Sequence, residues 1–188
     1  MTKHVSLKGK LLIAMPSIKG DEFERSVVFL CEHSSHGAMG LVLNKPAPRM
    51  IFADLVEKLG LNHASEDILQ MPVMIGGPVK PFQGFVLHSS DYRTPETLVL
   101  DREFALSATT DILKAIASGK GPISRILALG YAGWNEGQLE SEIMRNSWLH
   151  CDSDPSLVFG TMHHKLHDAA LAKLGVSAAM LSSVSGRA

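Results

Sequence analysis

Polar segments that contain glycine interrupt the apolar runs of this chain at three places, and they constrain the fold more than any other feature. Glycine adopts backbone conformations that other residues avoid, so each segment predicts a turn or a close approach between backbones. Short turns of this kind usually converge on one surface, and we expect the same here. The segments are residues 32–40, 76–79 and 130–134, and the last continues at 137–140.

Apolar runs at residues 11–15 and 26–32 have the composition of strands that are buried on both faces. Turn-forming residues at 34–37 follow the second run, and an extended pattern resumes at 39–44, so we predict a β-hairpin. Within this hairpin we expect His33 and Asn44 to face each other. Further strands are predicted at 73–75, 84–88, 97–100 and 125–129.

Helices are predicted between and after these strands. Phe52, Leu55, Val56 and Leu59 recur at helical spacing before Gly60, which predicts a helix over 51–59. Helices are also predicted at 111–118, at 137–145 after a turn at 134–136 with Asn135 as the N-cap, and at 163–174. Mixed helices and strands predict the α+β class, and without a repeat or a linker we expect a single domain over residues 1–188.

Charge and composition narrow the classes of function. The 188 residues carry 18 Lys and Arg against 19 Asp and Glu, so the total charge does not support direct DNA binding, although it leaves it open. The apolar run near the amino terminus is too short for a signal sequence or a membrane span, so we expect a cytoplasmic protein without membrane association. Cys31 and Cys151 form no CxxC motif, so neither a structural disulfide nor a cofactor is expected.

The order and spacing of several motifs resemble one family. The resemblance lies in Phe23, Asn146 and Trp148 and in residues 9–16, 25–28, 32–33, 37–44, 76–79, 84–88, 121–122, 130–134, 137–140 and 142–143. By these motifs the chain resembles the YqgE/AlgH family, bacterial proteins that are uncharacterised or described as transcriptional regulators. The resemblance implies a bifurcated β-sheet with a small closed, barrel-like part, flanked by helices. The chain departs from the family pattern after residue 162, where His163 and His164 stand in place of an expected Trp.

Several candidate ligand contacts lie in or near the first two polar segments. Glu32 and His33 at a strand end could share a proton or bind a ligand together with Asn44 and His88, whereas hydrogen bonding that locks the hairpin is the alternative. Gly76 and Gly77 present successive backbone amides that could form a small anion nest, and a turn fixed by the following proline is the alternative.

The third segment adds Trp134, Gln138 and Glu142. Gln138 and Glu142 lie four residues apart and share a helix face, so they could contact a ligand or form a surface hydrogen bond. Trp134 and Trp148 are expected to anchor this helix to the core. His163 and His167 have the spacing of a zinc helix but lack the glutamate of an HExxH motif, so no metal site is expected.

These residues favour a non-enzymatic regulatory or ligand-binding protein, with a role in transcriptional regulation, whose partner is an unidentified small molecule or protein. The alternative is a hydrolase that acts on a small phosphorylated substrate through Glu32 and His33. A DNA-binding regulator is a third class, and it requires a basic face.

Overall fold

The structure is a computed structural model that describes residues 5–63 and 65–182. Ten strands and seven helices are present in these residues. The strands are β1 (Lys10–Ala14), β2 (Val27–Ser34), β3 (Gly37–Val42), β4 (Pro46–Ile51), β5 (Pro72–Ile75), β6 (Val79–Ser89), β7 (Leu98–Val99), β8 (Phe104–Ser107), β9 (Arg125–Asn135) and β10 (Trp148–Asp152). The helices are α1 (Phe52–Lys58), α2 (Glu66–Leu69), α3 (Thr110–Ala117), α4 (Gln138–Met144), α5 (Pro155–Gly160), α6 (His163–Lys173) and α7 (Ala178–Ser182).

The strands form one curled, largely antiparallel sheet, a half-barrel flanked by helices, which confirms the α+β class. Neighbouring strands follow the order β10-β1-β2-β3-β9-β6-β8-β7. Strand β9 is the branch point, because its first half pairs with β6 and in parallel with β5, and its last half pairs with β3. The expected bifurcation of the sheet therefore occurs along a single long strand.

Strand β9 also corrects one expectation. The sequence predicted a strand that ends at residue 129 and a turn at 134–136, but β9 continues to Asn135. Gly130 interrupts it with a φ of +71°, and a Cβ there would lie 2.3 Å from the carbonyl oxygen of Gly77. The glycine at this position keeps the two backbones in contact without ending the strand, and a local pattern does not distinguish this arrangement from a turn.

Three hydrophobic clusters hold the sheet and helices together. Alternate residues of β1 belong to different clusters, with Leu11 and Ile13 in one and Leu12 and Ala14 in another, so β1 is buried on both faces as predicted. The first cluster includes apolar residues of α5 and α6, and the second includes Leu139 of α4. The third packs α1 and α3 against β5, β6 and β9. Strands β4, β8 and β10 and helices α2, α5 and α7 were not predicted.

Candidate functional site

His33 lies near the turn of the β2–β3 hairpin, where it pairs with Ala38, and only 5% of its surface is exposed. Its Nδ1 accepts a hydrogen bond from the backbone N–H of Leu7 at 2.8 Å, so the ring proton sits on Nε2. Nε2 then donates to the Glu140 carboxylate at 2.9 Å. His33 therefore joins the amino-terminal segment to α4, and Glu140 is a partner that the sequence analysis did not identify.

Glu32 is exposed and lies on the other side of β2, because successive strand residues point to opposite faces. Its carboxylate is 4.0 Å from the Lys8 ammonium, a distance at which an exposed pair contributes little. The expectation that Glu32 and His33 share a proton is corrected here, since His33 bonds Glu140 instead. The pair on which the hydrolase alternative depended is not assembled.

Asn44 lies at the opposite end of the hairpin. Its side chain accepts from the Val27 N–H at 2.8 Å and donates to the Arg25 carbonyl at 2.9 Å. Val27 and His33 are six residues apart on β2, about 20 Å along an extended strand. The expectation that His33 and Asn44 face each other is therefore wrong.

Gly76 and Gly77 are held by backbone contacts with the neighbouring strands. The Gly76 N–H donates to the Leu129 carbonyl at 2.7 Å, and its carbonyl accepts from Val42 at 2.9 Å. Gly77 has a φ of +152°, and a Cβ there would lie 2.2 Å from the carbonyl carbon of Tyr131. The Gly76 amide is thus not available to an anion, so the structure does not support the anion-nest alternative, and both glycines lie in close contact with neighbouring backbone.

His88 is fully buried at the far end of β6, beside β8. Its Nδ1 donates to the Ser89 carbonyl and its Nε2 accepts from the Ser107 hydroxyl, each at 2.9 Å. Burial lowers the pKa of His88 below its usual value, since the charged ring would lose its hydration. This histidine is an internal structural group, and the structure does not bring it to His33.

The Glu142 carboxylate is the most heavily hydrogen-bonded group among the predicted residues. One oxygen accepts from the indole N–H of Trp134 at 2.9 Å and from that of Trp148 at 2.8 Å. The other oxygen accepts from the Gln138 amide at 2.9 Å. The predicted pair of Gln138 and Glu142 and the anchoring role of both tryptophans are confirmed. The N-cap of α4 is Gly137, whereas the Asn135 N–H donates to the Gln138 side chain at 3.0 Å, which corrects the expected N-cap.

These groups line a cleft of about 270 Å³ between α4, β9 and the loop before β2. Trp148 meets Trp134 and Phe23 edge to face, with ring centroids 6.0 and 5.9 Å apart. The lining residues are Ile18, Asp21, Phe23, Gly133, Trp134, Gln138, Glu142, Ser147 and Trp148. Within the described part of the chain, this lining contains two carboxylates and no lysine or arginine. We refer to it below as the aromatic cleft.

The structure thus brings together Trp134, Gln138 and Glu142 and leaves the other predicted site residues elsewhere. Asp21 and Phe23 complete the aromatic cleft, but they lie over a hundred positions before Trp134 and carry no local motif that links them to it. Among residues 5–63 and 65–182, no group of three His, Cys, Asp or Glu side chains is arranged to hold a metal ion. In the same residues, no helix is long and apolar enough to span a membrane.

The curled sheet, its flanking helices and the aromatic cleft define a small α+β protein of the half-barrel type. Residues 11–179 match the family described as DUF179, AlgH-like, and the chain belongs to that family. UPF0301 proteins from Azorhizobium caulinodans and Methylobacterium nodulans are 50% and 48% identical to it, over 97% of this chain and 92% and 90% of theirs.

Two solved structures have the same fold. The solution structure of the AlgH protein from Pseudomonas aeruginosa is 40% identical, covers both chains completely and superimposes with a TM-score of 0.77. A crystal structure of a protein from Corynebacterium diphtheriae covers 92% of this chain and 90% of its own, with a TM-score of 0.72. At 21% identity, the second structure supports the fold alone.

Proposed function

We propose that this protein is a non-enzymatic ligand-binding protein whose aromatic cleft binds a small organic cation. The observation that carries the proposal is the Glu142 carboxylate, which is held in an aromatic-lined cleft by three neutral N–H donors. Neutral donors orient a carboxylate and stabilise its charge, but they do not cancel that charge. A cation that enters the cleft would complete the pairing.

Charge in the rest of the cleft supports the same ligand class. Asp21 also lines this cleft, and its Oδ1 accepts from the Phe23 N–H at 2.7 Å, which restrains the carboxylate. Two carboxylates facing one concave volume of about 270 Å³ attract cations and repel anions. A phosphorylated ligand is therefore disfavoured at this cleft.

Aromatic rings supply the second part of the recognition. Trp134, Trp148 and Phe23 line the cleft, and ring faces attract ammonium and guanidinium groups by cation–π interaction. An amine or guanidinium head group also donates hydrogen bonds, which the carboxylates accept. The preferred ligand is thus a compact amine or guanidine rather than a metal ion.

A regulatory role, including one in transcription, belongs to the same proposal. Gln138 and Glu142 lie on α4, as does Glu140, which bonds His33 of the hairpin. Occupancy of the cleft would be transmitted to the hairpin through this helix. The proposal also includes a cytoplasmic location. It includes one domain over residues 1–188, and the sharing of a single sheet by the three hydrophobic clusters supports that part.

Intrinsic fluorescence tests the proposal directly, because the chain's two tryptophans, Trp134 and Trp148, both line the cleft. Titration with guanidinium, tetramethylammonium and putrescine should give a saturable change in emission, whereas neutral tert-butanol should not. Asp21→Asn should weaken cation binding about fivefold, as for a partly exposed charge pair. Glu22→Gln, which removes a neighbouring charge outside this cleft, is the matched control. An absence of saturation with every cation would refute the proposal.

A further inference from the structure

A second cleft lies away from the aromatic cleft, between α1 and α3 on the side of the sheet formed by β5, β6 and β9. Its volume is about 250 Å³. Its lining is mainly apolar and includes Leu55 and Leu59 of α1, Phe85 and Val86 of β6, and Ile112 and Leu113 of α3. Gly84 also lines it, and a Cβ built there meets no heavy atom within 4 Å. The cleft is therefore an apolar volume that is open at Gly84.

Few polar side chains line this cleft. Lys58, at the last turn of α1, is the only charged residue in the lining that the structure describes. Among residues 5–63 and 65–182, no carboxylate lies within 4.0 Å of the Lys58 ammonium. Thr109 and Thr110 add hydroxyls, and the Thr109 side chain makes no capping bond to α3. The single charge favours an anionic head group.

Phe82 gives the cleft a raised apolar rim. It is 94% exposed, the largest exposure of any large hydrophobic residue described. The pairing of β6 with β9 is irregular between Val79 and Gly84, and Lys80 within that stretch has a φ of +46°. The strand thus leaves its register where Phe82 projects, and an aromatic ring is presented to water at the cleft's edge. A ligand with an apolar body would cover that ring.

We propose that this cleft binds an aliphatic monocarboxylate, with the hydrocarbon chain between α1, α3 and β6 and the carboxylate at Lys58. Charge complementarity selects this occupant, because the lining combines one unpaired cation with an otherwise apolar surface and, in the part that the structure describes, no acidic residue. A purely apolar ligand would leave the cation without a partner. A phosphate group carries about two negative charges, and the single cation of this cleft offers too little positive charge to neutralise them. The proposal is independent of the cation proposed for the aromatic cleft.

Calorimetric titration of the full chain with decanoate, below its micellar concentration, tests this proposal. Decanoate should bind saturably, and decanol should bind at least about fivefold more weakly, as expected for loss of one exposed charge pair. Lys58→Gln should reduce decanoate affinity by the same factor and leave decanol unaffected. Lys120→Gln, at a cation outside this cleft, should bind decanoate like the wild type.

Gly84→Leu provides a steric test, because its side chain would extend into the open part of the cleft. It should abolish decanoate binding while its urea midpoint stays close to that of wild type. Equal affinity for decanoate and decanol, or unchanged affinity in Lys58→Gln, would overturn the assignment of the head group. A wild-type dimer that Phe82→Ser converts to monomer would instead assign the cleft to a second copy of the chain and overturn the proposal.

Discussion

Replacement of Glu142 by leucine should destabilise the protein strongly. In this variant the indole N–H groups of Trp134 and Trp148 lose the only acceptor described for them, and both side chains are nearly buried, at 7% and 3% exposed. A buried donor left without a partner costs about 1–3 kcal/mol, which gives about 2–6 kcal/mol for the two indoles. Since a domain of this size is stable by about 5–15 kcal/mol, this loss is a large part of the total.

The conservative variant separates charge from hydrogen bonding. Glu142→Gln keeps one carbonyl oxygen for the two indoles and loses the negative charge, so we expect a loss of about 1 kcal/mol. Gln138 is exposed, and loss of its bond to Glu142 adds little. The order of stability should therefore be wild type, Glu142→Gln, then Glu142→Leu.

Urea unfolding followed by far-ultraviolet circular dichroism measures these differences without relying on the tryptophans, whose emission the substitutions alter directly. Glu136→Leu, at an exposed carboxylate just before α4, is the matched control and should change stability by less than about 0.5 kcal/mol. If Glu142→Leu unfolds at the same urea concentration as this control, the two indole bonds do not stabilise the fold and the reasoning is wrong.

Gly77→Ala should reduce the free energy of unfolding by about 3–5 kcal/mol, because Gly77 has a φ of +152° and the added Cβ would lie 2.2 Å from the backbone of β9. Gly84→Ala, where an added Cβ meets no heavy atom within 4 Å, should be nearly neutral. Equal urea midpoints for the two variants would contradict this prediction. Burial lowers the pKa of His88 in the folded protein from its usual 6.5, so near that pH the unfolded chain binds more protons than the folded chain. The free energy of unfolding should therefore decrease as the pH is lowered from about 7.5 to about 5.5. His88→Gln should show a smaller decrease, and an identical decrease would count against the assignment. Burial raises the pKa of Cys31 to about 12 and also raises the pKa of Cys151. Neither thiol should therefore react with a disulfide reagent in the native protein at neutral pH, whereas both should react in urea. Rapid labelling of the native protein would disprove the burial.

The sequence by itself determined many of the local elements and the family resemblance. Apolar runs and turn residues indicated β1, the β2–β3 hairpin, and helices α1, α3, α4 and α6, because periodicity and glycine stops are properties of neighbouring residues. The bond between Gln138 and Glu142 was also predictable, since four residues along a helix bring two side chains together. The motifs identified the YqgE/AlgH resemblance, which the AlgH-like family match confirmed.

Tertiary structure alone decided which residues far apart in the chain meet. The bond from His33 to Glu140 spans 107 positions, and the aromatic cleft joins Phe23 to Trp134 and Trp148. Such contacts depend on which strands pair and in which register, and a one-residue change of register reverses the face of every side chain. The course of β9 through Gly130 was likewise hidden, because glycine at a strand interior and glycine at a turn give the same local signal. For that reason the sequence marked the polar segments correctly but did not show that His33 bonds Glu140 of α4, or that Asn44 and His88 lie outside the aromatic cleft.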